Sequence, residues 1–103
     1  MVDYSQDKVV LTVKGYFVRI IIEIRYLPNL QLAEFPDNYK FKWMAFCLGK
    51  RPFEYIRFDN HRGKPPHYHV DEKEVFFKWI SLEETEKMFF KMVYEKFGYF
   101  ELD

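Results

Sequence analysis

The clearest pattern in the chain is a two-residue alternation from Tyr16 to Tyr26. Tyr16, Val18, Ile20, Ile22, Ile24 and Tyr26 share one parity, while Arg19, Glu23 and Arg25 sit on the other. Such alternation predicts an antiparallel strand with one buried and one wetted face. Upstream, the β-branched run Lys8 to Val13 predicts a short partner strand, with Lys14-Gly15 as the turn between them. Leu27 to Asn38 contains Pro28, Pro36 and an Asp37-Asn38 pair, so it reads as a connection with room for one short helical turn. Tyr39 to Leu48 resumes strand character, with Tyr39, Phe41, Trp43 and Ala45 against Lys40 and Lys42. Gly49-Lys50-Arg51-Pro52 reads as a loop and Phe53 to Asn60 as the returning strand of a central hairpin.

The pattern changes after His61. Gly63, Pro65 and Pro66 predict a loop over His61 to Pro66, and His67 to Val70 and Val75 to Trp79 read as short strands around the charged turn Asp71-Glu72-Lys73-Glu74. Ser81 followed by Glu84 is a capping box, and Glu83, Glu84 and Glu86 suit the positive start of a helix. Leu82, Phe89, Met92, Val93 and Phe97 then recur at three- and four-residue spacing, and Gly98 is the expected stop. A last short strand, Tyr99 to Leu102, would add to the sheet. The predicted fold class is α+β, an antiparallel sheet of five or six strands with one long C-terminal helix packed on a face.

A length of 103 residues predicts a single domain over 1–103, and no linker or repeat divides it. Aromatic residues make up 21% of the chain, so the core is built from large flat side chains. Formal net charge is zero, which argues against gross electrostatic capture by nucleic acid. Its distribution is uneven. Seven Lys/Arg face only Glu54 and Asp59 between Lys40 and His67, whereas five Lys face nine Asp/Glu from Tyr68 onward. Cys47 stands alone in a strand pattern, which predicts a buried inert thiol and excludes an internal disulfide. Met1 to Lys8 carries Asp3 and Asp7 without an apolar core, and Tyr16 to Leu27 is too short and too charged to span a bilayer. A cytoplasmic protein with no membrane association is the expectation.

All three histidines fall in Arg57-Phe58-Asp59-Asn60-His61-Arg62-Gly63-Lys64-Pro65-Pro66-His67-Tyr68-His69. Strand geometry puts Arg57, Asp59 and His61 on one face with Phe58 opposite, and His67 and His69 on one face with Tyr68 opposite. Three chemistries fit these residue types. RNA cleavage without a metal needs a base for the 2′-hydroxyl, an acid for the leaving oxygen and a cation for the phosphorane. Two histidines and Arg57 meet those needs, with Asp59 orienting them and Lys64 on a flanking phosphate. Alternatively, His67 and His69 with Asp59 or His61 form a divalent-metal site. In the third reading, Arg57 and Asp59 are an ion pair and the histidines cap loops.

No Gly-rich phosphate loop, nucleophile elbow or His-Glu-x-x-His helix is present, so no cofactor is expected. Tyr39, Phe41 and Trp43 alternate with lysines, so they belong to the core and not to an RNA-stacking platform. The Met88–Met92 pair reads as core filling. Phe76, Phe90 and Tyr94 fall off the main stripes and would suit an exposed patch for a protein partner or a homodimer contact.

The strand ending Arg57-Phe58-Asp59-Asn60, followed by Pro66-His67-Tyr68-His69 and a capped C-terminal helix, resembles the TumE-type toxins of bacterial and archaeal toxin–antitoxin systems. The strand Tyr39-x-Phe41-x-Trp43 is similar to the aromatic strand that precedes that motif in the family. The likeness covers about Asn38 to Gly98, with His61-Arg62-Gly63-Lys64-Pro65 a shortened form of the His-rich loop of many members. It implies a small growth-inhibiting toxin neutralised by a DNA-binding antitoxin. The expected activity is RNA cleavage with Arg57, Asp59, His67 and His69 lining the site, and His61, Lys64 and Tyr68 contacting an RNA substrate. The competing expectation is a non-enzymatic module that inhibits by binding a protein.

Overall fold

The computed structural model describes residues 3–29, 31–49 and 54–102. The chain forms β1 (Asp3–Leu11), β2 (Phe17–Tyr26), β3 (Tyr39–Cys47), β4 (Tyr55–His61), β5 (Lys64–Val70), β6 (Lys73–Phe76) and α1 (Leu82–Phe97). The loop expected at Lys50, Arg51 and Pro52, and the strand start at Phe53, lie outside the described residues. The strands pair in sequence order, every pair antiparallel, as one six-stranded meander. This is the α+β arrangement expected from the sequence. No described helix is long and apolar enough to cross a membrane.

Parity decides what each face of the sheet does. Val18, Ile20 and Ile22 of β2, Phe41, Trp43 and Ala45 of β3, and Ile56 and Phe58 of β4 point to one side and are buried. Helix α1 lies on that side and inserts Phe89, Val93 and Phe97. Phe89 meets Trp43 edge-on at 5.7 Å and Phe58 edge-on at 5.3 Å between ring centroids. Such pairs contribute about 0.5–1.5 kcal/mol beyond the area they bury. Cys47 is buried here as well.

The helix begins where its cap dictates. Ser81 is extended, and its Oγ accepts the Glu84 N–H at 3.0 Å. The buried row is Thr85, Phe89, Val93 and Phe97, a spacing of four, with Leu82 and Met92 half-buried at its margins. Thr85 joins the row because its hydroxyl donates to Ser81 O at 2.8 Å, which removes the cost of burying it. Gly98 stops the helix at φ 99°, with its N–H on Tyr94 O, and a Cβ there would stand 2.9 Å from Lys14 Cγ.

Several elements differ from expectation. Strand β1 starts at Asp3 and not at Lys8, because the backbone of Asp3 to Asp7 continues the ladder on β2 even though its side chains carry no apolar alternation. The connection between β2 and β3, by contrast, makes the one short helical turn expected of it, Pro36–Asn38. Pro65 and Pro66 lie inside β5 and not in a loop; the turn is confined to Arg62-Gly63, where Gly63 adopts φ 85°. Strand β6 covers Lys73–Phe76, since Asp71 at φ 55° makes the turn tighter than four residues. Tyr99 to Leu102 forms no strand; Tyr99 O accepts the Val13 N–H, and Phe100 is buried against the core.

Asp71 links that turn to the rest of the fold. Its Oδ1 accepts the Tyr55 N–H at 2.9 Å and its Oδ2 accepts Lys96 Nζ of α1 at 3.0 Å. Burial works to raise its pKa, but the Tyr55 N–H and the Lys96 ammonium outweigh it and hold the carboxyl below 3.8. A carboxyl depressed in the folded state stabilises above the unfolded value and loses that contribution as pH falls through the folded one. Asp71→Asn, which tolerates the positive φ, should therefore lower the urea midpoint at pH 7 and flatten its decline below about pH 4.

Candidate functional site

The predicted cluster forms on the sheet face opposite α1. Arg57 and Asp59 of β4 pair in register with His69 and His67 of β5, and those in turn pair with Glu74 and Phe76 of β6. All six side chains therefore fall on one face in two adjacent rows. The register depends on one irregularity. Between the pairs Asp59↔His67 and His61↔Lys64, β4 has only Asn60 while β5 has Pro65 and Pro66. This is a bulge, and proline suits it because a bulged residue needs no ladder N–H.

The bulge also supplies a hydrogen bond. Pro65 O faces His67 Nδ1 at 2.9 Å, so Nδ1 carries the proton and the ring is held with Nε2 toward Asp59. His67 is completely buried, and its Nε2 lies 2.8 Å from Asp59 Oδ1. Arg57 Nε lies 2.7 Å from the other oxygen, Oδ2. On the far side, Glu74 Oε2 is 2.7 Å from Lys64 Nζ, 3.3 Å from His69 Nε2 and 3.9 Å from His67 Nε2. The three imidazoles are edge-on neighbours, His61 to His67 at 6.0 Å and His67 to His69 at 5.2 Å.

These short distances are not all hydrogen bonds. Arg57 Nε, Asp59 Oδ1, His67 Nε2 and His69 Nε2 are buried atoms for which no N–H points along the line to its neighbour. The ion-pair distances and the missing alignment describe the same contacts; charge attraction holds the groups close while hydrogen-bond geometry is unmet. Buried polar atoms left so are rare and concentrate where a water, ion or ligand completes them.

His69 is 18% exposed and Arg57 37%. Burial, then the charges of Arg57 and His67, push His69 below its ordinary 6.5 and favour its neutral form. Lys64 holds the Glu74 carboxyl below its usual range. No hydrogen bond of Arg57 Nη to a described residue is formed. Beside the cluster, a groove of about 550 Å³ crosses the end of the sheet, lined by Arg57, Asp59, His61, Lys40, Lys42 and Arg25 among others.

The remaining sequence candidates divide. His61 is exposed at the rim with Nδ1 3.1 Å from Arg62 O. Lys64 reaches the cluster through Glu74. Tyr68, expected to contact substrate, does not: its parity places it on the core face, where it stacks on Phe58 at 5.1 Å. Glu74 escaped the sequence reading because it looked like turn, yet its position five residues after His69 in a tight hairpin was the available signal. Asn60 is structural. Its Oδ1 accepts the Phe41 N–H and its Nδ2 donates to Tyr39 O and Glu34 O, which fixes the β2–β3 connection against β4.

Among the described residues two groups could hold a metal, Asp59 with His61 and His67, and His67 with His69 and Glu74. Comparison with protein-family models, with curated proteins and with solved structures finds no match to this chain.

These geometries predict unequal costs. Asn60→Ala strands a buried N–H and two carbonyls and should cost about 2–3 kcal/mol. His69→Ala, at the surface of the cluster, should cost less than about 1 kcal/mol. Urea unfolding of the two variants measures the difference.

Proposed function

We propose that this chain is a small RNA-cleaving toxin whose site works by acid–base chemistry on the open sheet face. The observation that carries the reading is the register pair Arg57↔His69 on that face, with a partly exposed guanidinium beside an imidazole whose Nε2 has no aligned partner. Arg57 Nη and Lys64 hold the phosphodiester and supply positive charge to the phosphorane. His69, whose Nε2 is buried but whose ring is partly exposed, takes the proton from the 2′-hydroxyl at Nδ1, and the oxygen attacks phosphorus. His61, at the exposed rim, protonates the leaving 5′-oxygen, giving a 2′,3′-cyclic phosphate and a free 5′-hydroxyl.

Asp59 and His67 are positioning residues in this scheme. His67 has no exposed surface to offer substrate, so it acts by packing beside Asp59, which in turn holds Arg57. The groove beside Asp59, with Lys40, Lys42 and Arg25 in its lining, gives a strand of RNA a path away from the cleaved bond. The toxin role rests on the sequence resemblance to TumE-type toxins, with a DNA-binding antitoxin as the partner that resemblance implies. A binding-module reading has one observation of its own. Val9, Leu11, Phe17 and Leu48 are large apolar side chains exposed at the other end of the open face, where a protein partner would fit.

Induced expression at matched soluble levels separates the readings. Wild type should arrest growth, and purified protein should cleave RNA in the presence of EDTA. His69→Ala and Arg57→Ala should each lose about 100-fold or more of the cleavage rate and relieve the arrest. Arrest by all three forms would move the activity to the apolar patch. Cleavage abolished by EDTA would overturn the metal-free chemistry.

A further inference from the structure

We infer that His67, His69 and Glu74 form a zinc site, and that zinc there switches the cleavage site off. The metal site stands on geometry alone; the switching rests on the reading given under Proposed function.

The ligand atoms already surround a point. His67 Nε2, His69 Nε2 and Glu74 Oε2 all lie within 4.8 Å of one another. Their edges to Glu74 are 3.3 and 3.9 Å. Zinc bonds of about 2.0–2.1 Å in a tetrahedron place ligand atoms roughly 3.3 Å apart, so three of the four corners are close to their places and the fourth is left to water. A cation at the centre also accounts for the unaligned contacts. Atoms that crowd together without a proton between them are arranged as metal ligands are, not as hydrogen-bond partners.

The supporting shell agrees. Pro65 O accepts a hydrogen bond from His67 Nδ1–H, which leaves Nε2 as the lone-pair nitrogen and fixes the ring. His67 is fully buried with that nitrogen unpaired and aimed at the other ligands. Two imidazoles with a carboxylate select zinc over magnesium or calcium, which prefer all-oxygen shells.

One cation competes for the site. Lys64 binds the same Glu74 oxygen that the zinc would use. Zinc must therefore displace Lys64, which weakens its binding and makes the site reversible. Once bound at Nε2, it confines the ring proton of His69 to Nδ1, the nitrogen that would accept the 2′-hydroxyl proton, and draws Glu74 from Lys64, so both base and phosphate contact change together.

The test titrates EDTA-stripped, dialysed full-length protein with zinc chloride, reading occupancy by competition with a chromogenic chelator and by thermal shift. Wild type should bind one zinc per chain. Glu74→Gln should weaken binding tenfold or more, and Lys64→Ala should strengthen it several-fold, an effect that a merely structural ion pair would not produce. RNA cleavage by wild type should fall in proportion to occupancy. Failure of wild type to bind zinc at micromolar concentration, or unchanged affinity in both variants, overturns the site. Binding as expected with cleavage that persists at full occupancy, or rises, overturns the switch and leaves the site. Binding as expected without RNA cleavage at any zinc level overturns the proposed function while supporting the metal site.

Discussion

The bulge opposite Asn60 sets the chemistry of this protein. Counting back from the turn without it, Asn60 would face Pro65, Asp59 would face Pro66, and His67 would land opposite Phe58. A one-residue slip sends every side chain of a strand to the other face. His67 and His69 would then enter the aromatic core, and Tyr68 would take their place in the open. The extra proline restores the pairs Asp59↔His67 and Arg57↔His69 and frees the carbonyl that fixes the His67 ring. Asn60 makes the same position tolerable on β4 by giving its side chain to Phe41 N, where a regular ladder would use backbone.

The open face carries charge where sheets in such folds often carry a second layer. Asp59 and His67 are buried there without a helix above them; they are covered by their own neighbours, with Phe76 packed on the His67 ring at 5.2 Å. Such burial raises the energetic stakes, because removing one partner leaves another charge without compensation. The apolar face opposite makes this affordable. Its stacked aromatic rings hold the register that the polar face requires.

Most of the fold was legible because its buried strands alternate. In β2 and β3 one parity is buried from Val18 to Ile22 and from Phe41 to Cys47 and half-buried at Ile24, Tyr26 and Tyr39, and the lysines beside Phe41 and Trp43 point to water. Helix α1 was legible from its cap. Where burial is absent the sequence loses its signal: the first half of β1 carries polar residues on an edge, and only backbone pairing makes it strand. The final segment misled in the opposite way. Phe100 has the look of a strand residue, yet it is buried by packing on Phe90 and Tyr94 rather than by pairing. In the site, parity alone placed Arg57 with Asp59 and His67 with His69. The two pairs were expected in one site across a Pro-Pro loop; that they meet as register partners comes from the bulge, which two prolines in a row disguised as a loop, and Glu74 was hidden by the assumption about its turn.

The whole polar cluster lies between Tyr55 and Phe76, on alternate residues of three consecutive strands. The intervening residues, Ile56, Phe58 and Tyr68, serve only the core. Two independent texts are thus interleaved in one segment. Substitutions at one set of positions can rewrite the surface chemistry from acid–base to metal-binding to inert, while the other set preserves the shape. Relatives of this chain could diverge in activity without diverging in fold, and a shared backbone among them would carry little information about a shared reaction.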